Sequence, residues 1–117
     1  MKERSPVTTH ILDTSRGKAA AGVEVILEKW IGTDTWDEMR RTASNADGRV
    51  EDLVAPGTRL DRGIYRLTFD TQAYFRGLNT ACFYPHVKIA FEITNPEEHH
   101  HVPLLLSAFG YSTYRGT

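Results

Sequence analysis

Four stretches of this chain carry side chains suited to proton transfer or anion recognition. They are Thr9-His10-Ile11-Leu12-Asp13-Thr14-Ser15, Arg49 just after Asn45-Ala46-Asp47-Gly48, the run His99-His100-His101-Val102-Pro103-Leu104-Leu105-Leu106-Ser107, and the tail Tyr114-Arg115-Gly116-Thr117. Histidine is the residue whose charge changes near neutral pH, so His10 and His101 are candidates for general acid–base work. If residues 99–101 are extended, His99 and His101 share one face and His100 takes the other. That His-x-His spacing also suits a metal, with His10 as a third donor to a tetrahedral zinc that keeps one open position. Directly after Glu97-Glu98, His99 and His100 read as solvated loop residues. His101 adjoins the apolar run, where partial burial gives an imidazole a partner and an adjustable pKa. By residue type alone, His10 is either a structural histidine or a functional one.

Arg49 is either a surface arginine of a hairpin or a planar, always-charged fork for a flat heterocycle with carbonyl oxygens and delocalised negative charge. The tail offers a phenol at Tyr114, a second guanidinium at Arg115, a backbone at Gly116 that a ligand can approach closely, and a hydroxyl at Thr117. Because it follows the apolar Val102–Leu106 run, its polar tip is expected to be held in place rather than frayed. Ser107 lacks the Gly-x-Ser-x-Gly turn of a nucleophile elbow. Cys82, between Ala81 and Phe83, reads as a small buried filler, and His86 is given no role.

The elements that must hold these residues are mostly strands. Val87-Lys88-Ile89-Ala90-Phe91-Glu92-Ile93 alternates apolar with polar or small residues, the period of a strand with one buried face. Val23, Val25 and Leu27 repeat the pattern against Glu24 and Glu28, as do Tyr65, Leu67 and Phe69 against Arg66 and Thr68. Val7–Leu12 is rich in β-branched residues and is stopped by the turn formers Asp13 to Gly17. Trp36 to Thr42 is polar on both faces and belongs at a sheet edge. One helix of about two turns is expected after Asp70, with Asp70 as its cap, Phe69 and Tyr74 as its staple and Gly77 as its left-handed stop. Short strands with hairpin-length connections make an antiparallel sandwich, and one small helix does not change that class.

Length and charge narrow the function. A chain of 117 residues with 40% hydrophobic content is enough for one core, so residues 1–117 read as a single domain. A net charge of -1 with both signs interleaved offers no field for nucleic acid or an anionic membrane. The charged start Met1 to Pro6 has no apolar segment behind it, and with a lone cysteine this points to the cytoplasm.

Taken together, the three motifs and the Tyr-Arg-Gly tail resemble the 5-hydroxyisourate hydrolases, the enzymatic branch of the transthyretin-like family. The resemblance covers the middle and both ends of the chain. It implies an all-β, transthyretin-like sandwich of two four-stranded sheets with one short helix, assembled as a homotetramer, a dimer of dimers with sites in the channel between dimers. It implies metal-independent, cofactor-free hydrolysis of a small molecule, 5-hydroxyisourate, to 2-oxo-4-hydroxy-4-carboxy-5-ureidoimidazoline in urate breakdown. Carried over residue by residue, the site is His10, Arg49 and His101 as catalytic residues, with Tyr114, Arg115, Gly116 and Thr117 binding substrate. Three positions depart from the pattern: Thr117 for a terminal serine, Ala19 for a proline, and Ala108 where Ser-Pro is usual. The alternative is a non-enzymatic carrier of small aromatic ligands, a branch that lacks the histidine and Tyr-Arg-Gly features.

Overall fold

The computed structural model describes residues 4–117. Nine strands and one helix follow in order: β1 (Val7–Asp13), β2 (Lys18–Ala19), β3 (Glu24–Gly32), β4 (Thr35–Ala43), β5 (Arg49–Val50), β6 (Gly63–Phe69), α1 (Thr71–Gly77), β7 (Val87–Ile93), β8 (His100–Ser107) and β9 (Gly110–Thr113). They form two sheets, β2-β1-β8-β9 with β5 also pairing β1, and β4-β3-β6-β7. This is the expected sandwich with its one short helix. The first sheet reaches five strands because β2 and β5, two residues each, both pair with β1. One pairing departs from the antiparallel rule: β1 and β8 run parallel, from Val7 opposite His100 to Asp13 opposite Leu106.

Alternation decides what is buried. From the first sheet Val7, Ile11, Val50, Val102, Leu104 and Leu106 face inward, and from the second Val25, Leu27, Tyr65, Leu67, Phe69, Val87 and Ile93 meet them. Removing this apolar surface from water is the main force holding the sheets together. The partly buried Cys82 packs against this core, with Sγ directed at the Tyr84 carbonyl. The charged strand β4 lies at an edge, as its two polar faces require. There Arg41 pairs with Glu24 and Glu38, and Arg40 with Asp52.

Asp70 caps α1 by accepting the Ala73 N–H at 3.1 Å. The left-handed stop lies two residues later than the sequence suggests. Gly77 is not left-handed; Asn79 is, at φ 55°, and it ends the helix while the Thr80 N–H returns to the Phe75 carbonyl. Asparagine tolerates that conformation better than most residues with a Cβ. Tyr74 donates its hydroxyl to the buried Asp13 carboxylate at 2.7 Å, tying the helix to the end of β1. Ala19, one of the departures from the family pattern, lies in β2 opposite Leu12.

Candidate functional site

Strand parity builds the site. Along β1 the odd residues enter the core, so Thr8 and His10 stand on the outer face of the first sheet. The parallel register sets Thr8 beside His101, and the antiparallel register sets His10 beside Arg49. Side chains paired across a ladder share a face. His10, Arg49 and His101, drawn from three strands, therefore converge on one side of one sheet. A cleft of about 250 Å³ opens there, lined by Arg4, Thr8, Arg49, Glu51, His101 and Thr117 among others.

Arg49 owes its place to the turn before it. Asn45 accepts the N–H groups of Asp47 and Arg49 on its side-chain oxygen, and Gly48 takes φ 73°. Gly48 also lies so close to β1 that an added Cβ would stand 2.4 Å from the Ile11 carbonyl oxygen. Only glycine meets both demands. Among the described residues, no carboxylate pairs with the Arg49 guanidinium, which stays available to a ligand.

His101 is held on both sides. Its Nδ1 lies 2.7 Å from the Thr8 hydroxyl. Behind it the Gly116 N–H donates to the His101 carbonyl at 2.9 Å, and a Cβ on Gly116 would meet the His101 ring at 2.5 Å. Gly116 thus provides the close backbone approach its residue type suggests, and the His101 ring is one group it approaches. Burial pushes the His101 pKa below the ordinary value, and the nearby Arg49 and His10 push it the same way. The ring is therefore neutral near pH 7.

The structure places His99 in the loop, as expected, but half-buried rather than solvated, and it corrects the loop reading of His100. His100 begins β8, pinned by its N–H to the Pro6 carbonyl at 2.8 Å, and its ring is buried with Phe91 nearby. His99 is half-buried, and its Nε2 lies 2.9 Å from the same Thr8 hydroxyl that reaches His101. The parallel pairing with β1, invisible in local sequence, is what keeps this stretch out of solvent. The His99 and His101 planes are 17° from parallel with centroids 6.5 Å apart. No group of three or more His, Cys, Asp or Glu side chains that could hold a metal ion forms among the described residues.

The tail divides. Thr117 lines the cleft with His101, whereas Tyr114 and Arg115 line a neighbouring groove with Phe91 and His100. Arg115 is engaged there by Glu98 at 3.2 Å. Ser107 has a structural role, donating to the Gly110 carbonyl in the β8–β9 turn. Reading the sequence missed Thr8 and Arg4 as cleft residues. Thr8 carried a signal, since it lies two positions before His10 on the same strand face.

Burial is the largest influence on all three neighbouring histidines and lowers each pKa. Arg4 adds to the effect at His99, and Arg115 at His100. The unfolded chain takes up these protons near pH 6.5, roughly the ordinary histidine value, while the folded chain resists until lower pH. Their stabilisation is therefore complete above that value and is lost as pH falls through the folded pKa values. Urea midpoints measured from neutral pH down to about pH 5 should fall steadily across this window. Asparagine at all three positions should flatten the slope; an unchanged slope would contradict this account.

The matches to known proteins agree with this architecture. The family model described as HIUase/Transthyretin family matches residues 7–116. The chain is 41% identical to the 5-hydroxyisourate hydrolase of Mus musculus over 116 residues, covering 98% of each. It is 44% identical to the uric acid degradation bifunctional protein TTL of Arabidopsis thaliana, covering 99% of this chain but spanning only 38% of that longer protein. The solved Klebsiella pneumoniae 5-hydroxyisourate hydrolase superposes with a TM-score of 0.84 at 35% identity, covering 95% of this chain and 97% of that one. With its sandwich, its helix and nearly its whole length accounted for, this chain belongs to the HIUase/Transthyretin family.

Proposed function

We propose that this protein is a hydrolase that opens the ring of 5-hydroxyisourate to 2-oxo-4-hydroxy-4-carboxy-5-ureidoimidazoline in urate breakdown. The observation that carries the reading is the convergence of His10, Arg49 and His101 on one open face of the first sheet. Near full-length similarity to proteins of that name supports the substrate.

In this reading a water is deprotonated by one histidine and attacks a ring carbonyl carbon. Arg49 holds the substrate and stabilises the oxyanion that develops. The carbon–nitrogen bond then breaks, and the leaving nitrogen takes a proton from the other histidine. Such acid–base help is worth roughly two to four orders of magnitude. Arg4 and Arg49 make the cleft attractive to a delocalised anion. Thr117 reaches substrate from the cleft wall. Tyr114 and Arg115 act from the adjacent groove, completing the site in a dimer of dimers working in the cytoplasm. A carrier of aromatic ligands has no need of an acid–base pair, so the histidines favour the enzyme.

The test generates 5-hydroxyisourate in place with urate oxidase and follows its absorbance decay with and without the protein. Faster decay, unaffected by chelator, is expected. No acceleration would remove the hydrolase reading, and chelator loss restored by zinc would favour a histidine–metal site. Arg49→Lys keeps the charge but loses the fork, and should lower kcat/KM by about a hundredfold. A wild-type value would mean that bidentate contact is not used.

A further inference from the structure

Among the described residues that wall the cleft, Glu51 is the only carboxylate, and the proposed reaction gives it no part. It follows β5 directly, two positions after Arg49. With Arg4 and Arg49 it also walls a wider depression of about 720 Å³ beside the cleft. Residues two apart on extended backbone share a face and stand roughly 7 Å apart. Extending the β1–β5 register by one residue sets Glu51 across from Thr8, and Thr8 lies beside His101. Arg49 and His10 therefore form one row across the sheet, and Glu51, Thr8 and His101 form the next. The floor between these rows has about the extent of a fused two-ring heterocycle.

Glu51 is exposed and not engaged elsewhere. Among the described residues no cation lies within ion-pair distance of it, even with two arginines on the same wall. Its neighbour Asp52, by contrast, is held by Arg40 at 3.0 Å. The Glu51 oxygens are open to a donor on a ligand.

Donor and acceptor chemistry says which donor. A guanidinium only donates and a carboxylate only accepts. The ring system of 5-hydroxyisourate carries N–H groups beside its carbonyl oxygens, so the arginines can read only the carbonyls. The N–H groups need an acceptor that stays out of the proton transfers.

We infer that Glu51 is a specificity-determining residue whose carboxylate accepts a ring N–H of the substrate, away from the bond that breaks, while Arg49 holds the carbonyl side. The inference rests on the hydrolase reading for its ligand. Reading one edge by donors and the other by an acceptor lets the heterocycle lie only one way round, with the reacting carbonyl toward His10. Arg4 and Arg49 outnumber the one carboxylate, so the wall still attracts an anion. A site built to bond an N–H also rejects an analogue that lacks it, because the buried acceptor is left unpaired.

Two accounts of Glu51 predict opposite signs. If the carboxylate merely repels an anionic substrate, Glu51→Gln should lower KM. If it accepts an N–H, the neutral amide is a weaker acceptor and KM should rise.

The experiment compares the full wild-type chain with Glu51→Gln, which keeps the shape at an exposed position. With 5-hydroxyisourate, KM should rise about tenfold and kcat stay within about twofold, the pattern of lost uniform binding. An unchanged or lower KM would overturn the inference. Xanthine, a planar two-ring heterocycle with N–H groups beside carbonyls, and its mono-N-methylated derivatives report the contact by calorimetry without turnover. One methyl derivative should bind the wild type about thirtyfold more weakly than xanthine, and Glu51→Gln should shrink that gap to about threefold. Equal methyl penalties in the two proteins, or no binding of xanthine to the wild type, would overturn the inference as well. If the wild type leaves 5-hydroxyisourate intact while Glu51→Gln still erases the methyl discrimination, the reaction is wrong and the contact stands.

Discussion

His101→Asn should lower kcat by about a thousandfold at neutral pH while the protein still melts cooperatively. The amide keeps much of the ring's bulk and can still meet the Thr8 hydroxyl, but it neither takes up nor releases a proton in this range. His10→Asn should fall by a similar factor if the two rings divide acid and base duties. The double variant should then be little worse than either single one, because residues of one catalytic unit are not additive. Absorbance decay supplies the rates, and circular dichroism melting checks the fold. A His101→Asn enzyme within fivefold of wild type would remove this histidine from the chemistry.

Gly116→Ala is expected to cost almost as much activity, because the added methyl is forced onto the His101 ring. An alanine Cβ would stand 2.5 Å from the His101 ring and 3.3 Å from the Pro103 ring. Either the imidazole turns away from Thr8 or the tail lifts off and surrenders its bond to the His101 carbonyl. Overpacking of this kind costs roughly 1–3 kcal/mol of stability, and a misplaced catalytic ring loses about a hundredfold in rate. Thr117→Ser keeps the hydroxyl facing the cleft and should be nearly silent. If Gly116→Ala is as active as wild type, the tail does not hold the histidine.

Local pattern revealed the outer-face residues because strand parity is a local property. Once Val7–Leu12 reads as a strand, His10 and Thr8 must share a side. It could not reveal that β1 and β8 run side by side in parallel, since that pairing joins distant segments, and so His100 resembled a loop residue and the half-buried His99 a solvated one. The two-residue strands β2 and β5 are too short to show a period. Gly77 reads as the helix stop because glycine fits left-handed backbone best, yet Gly77 stays helical and Asn79, two residues on, takes the left-handed conformation. At Gly116 the residue type was informative, but the object it approaches became visible only in three dimensions.

The parallel seam between β1 and β8 also sets an order of events during synthesis. The second sheet is closed by strands that follow one another closely, β3 with β4, then β6 with β7. The first cannot acquire its centre until β8 arrives, and Thr8 waits across 93 residues for His101. Contacts of such long range slow folding, because loop-closure entropy is spent before they form. A nascent chain ending at β7 therefore holds all of the second sheet, a β1 strand paired only with the short β2 and β5, and no catalytic pair. Hydrolysis switches on only with the closing of that last seam, so every active molecule is one that has finished folding.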